Sequence, residues 1–409
     1  MNARKFVLKA LIEICMNHAY ANLYLKKHLD EVDKKQQAFC SALIYGTLQY
    51  DRYLQYQYED LIQGNSKKEL MILLNMSIYE LFFMNEKEYA VVNEAVNLAN
   101  SYGKKSKGFV NAILHKVIKR GKRALPENED EALSIETSHP LWLVKMWNAQ
   151  YGKDICKKIC YENMKVKPLC VRVNTLKTSR EKLGDDFIAC KGSKDGAIFV
   201  GKNLFEHPAF LNNEVMVQDE SSQMVALFLD PKQDDVILDT CSAPGSKAIH
   251  MTQIMKDKGK IVCGDIHASR VDLIKEQALK QGLKSIEAKV MDATINDSDI
   301  LYDKILCDVP CSGYGVLGNK SDIKYRMQSS DMDTLIPLQY QILEASCKKL
   351  KDDGILVYST CTLNKKENEK QIEKFLKNHD EFMLVDMKTI FPFDYQSDGF
   401  FMAKLKKRI

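Results

Sequence analysis

Nowhere does the 409-residue chain hold an apolar run long enough to cross a membrane as a helix, and its first residues, MNARKFVLKA, lack the apolar core and cleavage site of a secretory signal. A soluble, cytoplasmic protein is the expectation. C-x-x-C is absent; the nearest spacings, Cys156/Cys160 and Cys307/Cys311, have no histidine at ligand distance beside them, so no metal site is expected. The twelve cysteines are scattered, form no compact disulfide framework and read as reduced thiols. Acidic residues are missing between Ala95 and Pro126, while Lys104, Lys105, Lys107, Lys116, Lys119, Arg120, Lys122 and Arg123 all fall there. Residues 1–125 carry 19 Lys and Arg against 12 Asp and Glu, so the excess positive charge lies in the first third of the chain. A basic face without nearby counter-charge fits phosphate.

What is present divides the chain. With 45% apolar and 28% charged residues, 409 residues exceed one ordinary core, and two or three globular domains are expected. Strand signals are nearly missing before residue 125, and apolar residues recur at helical spacing over 6–16, 38–58, 70–83, 91–99 and 109–118; this predicts an all-helical domain over residues 1–125. The charged stretch 126–131, PENEDE, reads as a break, and residues 126–165 as a linker with one helix, its first turn suited to Pro140. His139 has no catalytic partner close in sequence and reads as a capping or packing side chain. Residues 166–230 read as a small mixed α/β module: an alternating strand over 169–174, a helix from Thr178, a strand near 197–200, then VQDESSQMVALFLD. Packed on the next domain, this module would form one wall of a substrate groove.

Residues 231–409 are organised around VILDTCSAPGSKA (236–248), where a short β-branched run breaks at Asp239 into a loop and then a helical segment. The alternation repeats. Strands over 260–264, 285–290, 304–307 and 354–359 lead to Asp265, Asp292, Asp308 and Cys361, with amphipathic segments 268–281, 331–351 and 367–378 among them. This predicts a mostly parallel, doubly wound α/β sheet, Rossmann-like in class, whose reactive residues share one edge.

The residues on that edge suggest a ligand. Asp265 lies 26 residues after Asp239, where an acidic side chain accepts from ribose hydroxyls, and Asp292 is placed for the adenine side. The first loop has only Gly245, preceded by Pro244, and lacks both G-x-G-x-x-G and the P-loop pattern, which disfavours a pyrophosphate. S-adenosylmethionine, an adenosine with an amino-acid end and no phosphate, fits these residues. Two further stretches, DVPCSG around Cys311 and YSTCT around Cys361, each place a thiol just beyond a strand of the same sheet, which points to nucleophile chemistry.

Two resemblances follow from these motifs. Through YAVVNEAVNLA (89–99) and FVNAILHKVIKRG (109–121) the front domain resembles the antitermination factor NusB, which implies RNA binding. DTCSAPGSK, DVPCSGYGVLG, YSTCTLNKKENE, VQDESSQ and DGFFMAKL (398–405) resemble the RNA 5-methylcytosine methyltransferases of the Sun/NOL family. Together they point to the branch of that family with a NusB-like front domain, which methylates cytosine C5 in small-subunit (16S) ribosomal RNA. The resemblance implies that Cys241, Ser242, Ala243, Pro244, Gly245, Ser246, Lys247, Asp265, Asp292 and Asp308 contact S-adenosylmethionine. It further implies that Cys361 is the nucleophile, that Cys311 assists product release, and that the enzyme is a monomer. The chain departs from the family pattern at Ser246, where a second Gly is usual, and at Ala248, where Thr is common. Alternatives are cytosine-C5 methylation of 23S ribosomal or transfer RNA, or a non-catalytic NusB-like assembly factor.

Overall fold

The computed structural model describes residues 2–295 and 300–408 and divides into two compact units, residues 1–164 with 320–327, and residues 165–319 with 328–409.

The first unit is helical. α1 (Ala3–Asn17) starts at Asn2, whose side chain accepts from the N–H groups of Arg4 and Lys5, and it buries Phe6, Val7, Ala10, Leu11 and Ile14 on one face. α2 (Ala21–His28), α3 (Lys34–Gln49), α4 (Asp51–Tyr56), α5 (Lys68–Phe83), α6 (Glu88–Ala99) and α7 (Lys104–Arg120) close a single core with it, around Leu43, Leu73, Leu74 and Leu114. The charged stretch expected as a break is instead a helix start. Asn128 caps α8 (Glu129–Glu136), accepting from the N–H groups of Asp130 and Glu131, and the acidic first turn complements the positive end of the helix dipole. α9 (Leu141–Tyr151) and α10 (Lys153–Asn163) continue this unit to Met164. His139 is fully buried, its ring nitrogens 3.0 Å from Thr137 Oγ1 and 3.2 Å from Asn163 Nδ2, which is the packing role read from the sequence. A 3-10 turn, Ser321–Tyr325, also belongs here: Lys324 donates to the Gln49 carbonyl (3.3 Å), and Tyr325 packs on the helical core.

The second unit holds two sheets. In the small one, β1 (Leu169–Val173), β2 (Phe187–Ala189), β3 (Gly196–Phe199) and β4 (Val215–Val217) pair antiparallel in the order β2-β3-β1-β4. The helix expected from Thr178 is only a 3-10 turn, Arg180–Lys182. That segment, SREKLGDD, offers one apolar side chain, Leu183, and so has no stripe with which to bury a longer helix. After α11 (Pro208–Leu211) and β4, α12 (Glu220–Leu229) leads into the large sheet.

The large sheet contains β5 (Val236–Asp239), β6 (Lys260–Asp265), β7 (Ile286–Val290), β8 (Tyr302–Asp308), β9 (Leu350–Thr360), β10 (Phe382–Ile390) and β11 (Phe400–Lys407), in the order β10-β11-β9-β8-β5-β6-β7. β5 to β9 are parallel, and β10 and β11 add an antiparallel edge. Successive residues of a strand face opposite sides, so β5 sends Ile237 to one core and Leu238 to the other. Ile237 packs with residues of α12, of α13 (Ser246–Ile254) and of α14 (Ala268–Gln281), and Leu238 with residues of α15 (Asp331–Cys347) and α16 (Glu369–Asn378). Burial on both faces explains why these strands read as short unbroken apolar runs.

Candidate active site at the carboxyl edge of the large sheet

Because β5, β6, β7, β8 and β9 run parallel, the loops that follow them leave the sheet on the same side, and the acidic residues and both thiols are gathered there. The loop after β5 is drawn tightly onto β6: Ser242 N–H donates to the Gly264 carbonyl (2.8 Å), and Gly245 N–H to the Ser242 carbonyl (2.7 Å). Gly245 takes φ +101°, a conformation that other residues adopt only with strain. Arg270 donates to the Ala243 carbonyl (3.1 Å), Arg172 to the Ser246 carbonyl (2.6 Å), and Pro244 and Ser246 line a cavity of about 320 Å³ with Phe205, Met216 and Lys280. The small module thus packs against the loop after β5, as expected from its place in the chain.

Asp239 is the side chain whose importance is not visible in the sequence. It is fully buried, and among the described residues neither of its oxygens has a hydrogen-bond partner; the buried Ser242 hydroxyl has none either. Burial first, and then the charge of Asp308, push its carboxyl up to about 7, while Ser242, Lys247 and the Cys241 N–H, close but not in bonding geometry, pull weakly the other way. Buried polar atoms are rarely left unsatisfied. An acceptor pair behind a tight loop fits the ammonium of an amino-acid ligand.

On β6, Asp265 is also buried; it accepts from His267 N–H (3.0 Å) and lies 3.3 Å from Arg270 Nη1. It holds a buried carboxylate at the end of β6. Asp292 accepts from Thr294 N–H (2.9 Å) and Oγ1 (2.6 Å), and these bonds lower its pKa; it is a turn residue at the same edge. Cys241 is packed against the core, and burial pushes its thiol up, which suits a wall better than a nucleophile.

The two motif cysteines meet. Asp308 pairs with Ser359 across β8 and β9, so the loops beyond both strands begin side by side, and Cys311 Sγ lies 3.4 Å from Cys361 Sγ. Hydrogen bonding to Cys361, then burial, raise the Cys311 thiol well above its ordinary range. Lys247, from the first turn of α13, donates to Asp308 Oδ2 (2.7 Å), and Ser359 donates to Asp308 Oδ1 (2.7 Å). Burial works against the Lys247 charge, but Asp308, Cys361 and Asp239 outweigh it and raise its pKa. A third loop completes the site: Gly315 N–H donates to the Cys361 carbonyl (3.1 Å) and Gly399 N–H to the Gly315 carbonyl (2.8 Å). A Cβ on Gly315 would lie 2.0 Å from the Gly399 oxygen, so only glycine permits that approach. The closing motif DGFF thus belongs to the site, which its distance in sequence from Cys361 conceals.

The family model for 16S rRNA methyltransferase RsmB/F matches residues 226–406, that for the NusB family residues 1–119, and that for the RsmF/B-like ferredoxin-like domain residues 139–189. The probable ribosomal RNA small subunit methyltransferase B of Bacillus subtilis is 34% identical, covering 100% of this chain and 99% of its own; that of Synechocystis is 32% identical, covering 100% of both. Among solved structures, PH0851 has the same fold with a TM-score of 0.82 over 100% of this chain and 99% of its own, at 24% identity. A methyltransferase homologue from Pyrococcus horikoshii matches with a TM-score of 0.61 at 25% identity, covering 69% of this chain and all of its own. The chain therefore belongs to the ribosomal RNA small subunit methyltransferase B family, with a NusB-like front domain and S-adenosylmethionine as its cofactor.

Proposed function

We propose that the enzyme methylates C5 of a cytosine in 16S ribosomal RNA through a covalent adduct with Cys361. The observation that supports this reading is the thiol pair, Cys311 and Cys361 at 3.4 Å, beside the Lys247–Asp308 ion pair on the cofactor edge. Cytosine C5 is a weak nucleophile. Addition of the Cys361 thiolate to C6 forms the S–C6 bond and moves the C5–C6 electron pair toward C5 and N3, which makes C5 reactive. The Lys247 ammonium would stabilise the negative charge that then develops on the ring, and Asp308 would do so when it holds a proton toward N3. S-adenosylmethionine, when bound, supplies an electrophilic methyl group. Asp239 would hold its ammonium, Asp265 its ribose and Asp292 its adenine side, with residues 241–247 as the cradle. Once C5 carries the methyl group, a base removes the C5 proton, the electron pair of that bond restores the C5–C6 double bond, and Cys361 leaves as thiolate. Cys311 assists that last step. C6 is reached only when the base is out of its stack, which favours a loop or opened helix as substrate.

The test uses labelled S-adenosylmethionine and a 16S fragment. Cys361→Ala should lose methyl transfer and keep cofactor affinity. Cys311→Ala should accumulate a protein–RNA band that survives denaturation, and the double variant Cys311→Ala/Cys361→Ala should show none. The reverse pattern, with Cys361→Ala trapped and Cys311→Ala inert, would reverse the roles of the two thiols. Methylation of 23S or transfer RNA fragments in preference to 16S would overturn the substrate assignment.

A further inference from the structure

Glu367, in the turn before α16, is fully buried, and its carboxylate collects four hydrogen bonds. Oε1 accepts from Ser312 Oγ (2.5 Å) and Asn364 Nδ2 (2.9 Å), and Oε2 from Ser312 N–H (3.0 Å) and Gln339 Nε2 (2.9 Å). Since Ser312 gives its proton to Glu367, the contact between Ser312 Oγ and Thr362 Oγ1 (2.7 Å) has Thr362 as donor, and Thr362 in turn accepts from Tyr314 N–H (3.2 Å). Ser312 follows Cys311 and Thr362 follows Cys361. One carboxylate therefore ties both cysteine loops together. Among the described residues all of its partners are neutral, and a buried charge without a cation is costly where a neutral amide would serve packing alone. The charge calls for a further reason. The thiols lie between opposite signs: Lys247 interacts with Cys361, and Glu367 with Cys311. Tyr358 of β9 and Tyr314 of the Cys311 loop also interact with Cys311, and Asp308 of β8 and Asp239 of β5 interact with Lys247.

We propose that Glu367 is a positioning residue for the thiol pair: its hydrogen bonds set the two loops at contact distance, and its charge keeps the single shared proton on Cys311, so that Cys361 carries the negative charge to C6. This rests on the covalent role of Cys361 given above. Placing an anion beside Cys311 makes the thiolate there unfavourable, and the ammonium of Lys247 makes it favourable on Cys361. No electron or atom is exchanged in this step; one proton is allotted between two sulfurs.

Iodoacetamide labelling of the full chain at neutral pH, read by peptide mass spectrometry, tests this without RNA. Cys361 should be alkylated about tenfold or more faster than Cys311, and in Glu367→Gln the preference should fall to within about threefold. In methyl transfer the same variant should move the acid limb of the rate–pH profile to lower pH, because an anion beside the thiol pair is gone, while the plateau falls about twofold because part of the charge then sits on Cys311. A packing defect would lower the plateau and leave the limb in place. Glu367→Asp, which keeps the charge, should keep the labelling preference; Ser312→Ala should lower the plateau about threefold with the limb unmoved. Equal alkylation of the two thiols in the unaltered protein overturns the proposal whether or not Glu367→Gln folds, as does a folded Glu367→Gln with unchanged limb and preference. Methyl transfer that survives Cys361→Ala, with the labelling preference intact, would sink the covalent reading and leave the proton bias standing.

Discussion

At the scale of single residues, the role proposed for Asp239 would tie cofactor binding to pH. Its carboxyl, pushed to about 7 by burial and by Asp308, lies above the ordinary carboxylate range. A raised value means that the proton stabilises the unliganded fold fully below pH about 4, and that this contribution is lost as the pH rises through about 7. An incoming ammonium prefers the ionised form, so its dependence runs the other way. Affinity for S-adenosylmethionine should increase between pH 5 and 7, approaching about tenfold per unit, and level off above. Calorimetric titration across that range checks it, and Asp239→Asn should bind weakly with a flat profile; a sloped profile in that variant would place the titrating group elsewhere. Asp265→Ala should cost about 1–3 kcal/mol of cofactor affinity by leaving ribose hydroxyls without their buried acceptor. Unchanged affinity would remove Asp265 from the site. The place of Asp265 at a strand end was legible in the sequence because strand-end acids follow the alternation of the fold; Asp239 ends a strand too, and what sets it apart, burial without a hydrogen-bond partner, no spacing can reveal.

At the scale of elements, the small sheet is joined to α13 by the buried Asp195–His250 contact (2.9 Å) and by Arg172. Arg172 of β1 is completely buried, and burial pulls its guanidinium down to about 9. It donates to Gln253 Oε1 (3.2 Å), to the Ser246 carbonyl (2.6 Å) and to Gln218 Oε1. Arg172→Met should cost about 2–4 kcal/mol, because it leaves buried acceptors unmatched. The urea transition to follow is the one that S-adenosylmethionine shifts, since two units need not unfold together. A change below about 0.5 kcal/mol would mean that packing and the Asp195–His250 contact hold the small sheet to α13 without Arg172. In LCVRV, Arg172 reads as the polar member of a half-exposed strand, and its acceptors lie 46 to 81 residues away. The parallel strands were legible for the opposite reason. Burial on both faces writes itself locally, as runs such as VIL before Asp239, and each run ends where a functional loop begins. The Thr178 helix failed because propensity without an apolar stripe gives nothing to bury.

Across the whole molecule, the basic run read from the sequence is only partly free. Arg120 pairs with Asp60 (2.7 Å), Arg123 lies 3.6 Å from both Glu59 and Asp60 and stacks over Tyr56, and Lys122 sits over the rings of Phe82 and Phe83. The counter-charges missing from residues 95–126 come from some sixty positions earlier, so the end of α7 serves the helical fold. Its exposed face is different. Lys105, Lys116 and Lys119 are exposed and fall on one stripe of the helix with the small residues Gly108 and Ala112, and among the described residues no carboxylate pairs with them. We expect the phosphates of the RNA to be held there. Replacing the three lysines by glutamine should weaken binding to a 16S fragment and flatten the plot of log affinity against log salt by roughly 0.7–0.9 for each phosphate no longer neutralised, roughly 2.1–2.7 in all if each lysine holds one phosphate. Arg120→Gln should leave that slope unchanged and lower the melting temperature instead, because its partner is Asp60 and not RNA. If the triple variant keeps the full slope, the stripe is a solvated face. A slope that falls with Arg120→Gln would mean that RNA displaces the ion pair.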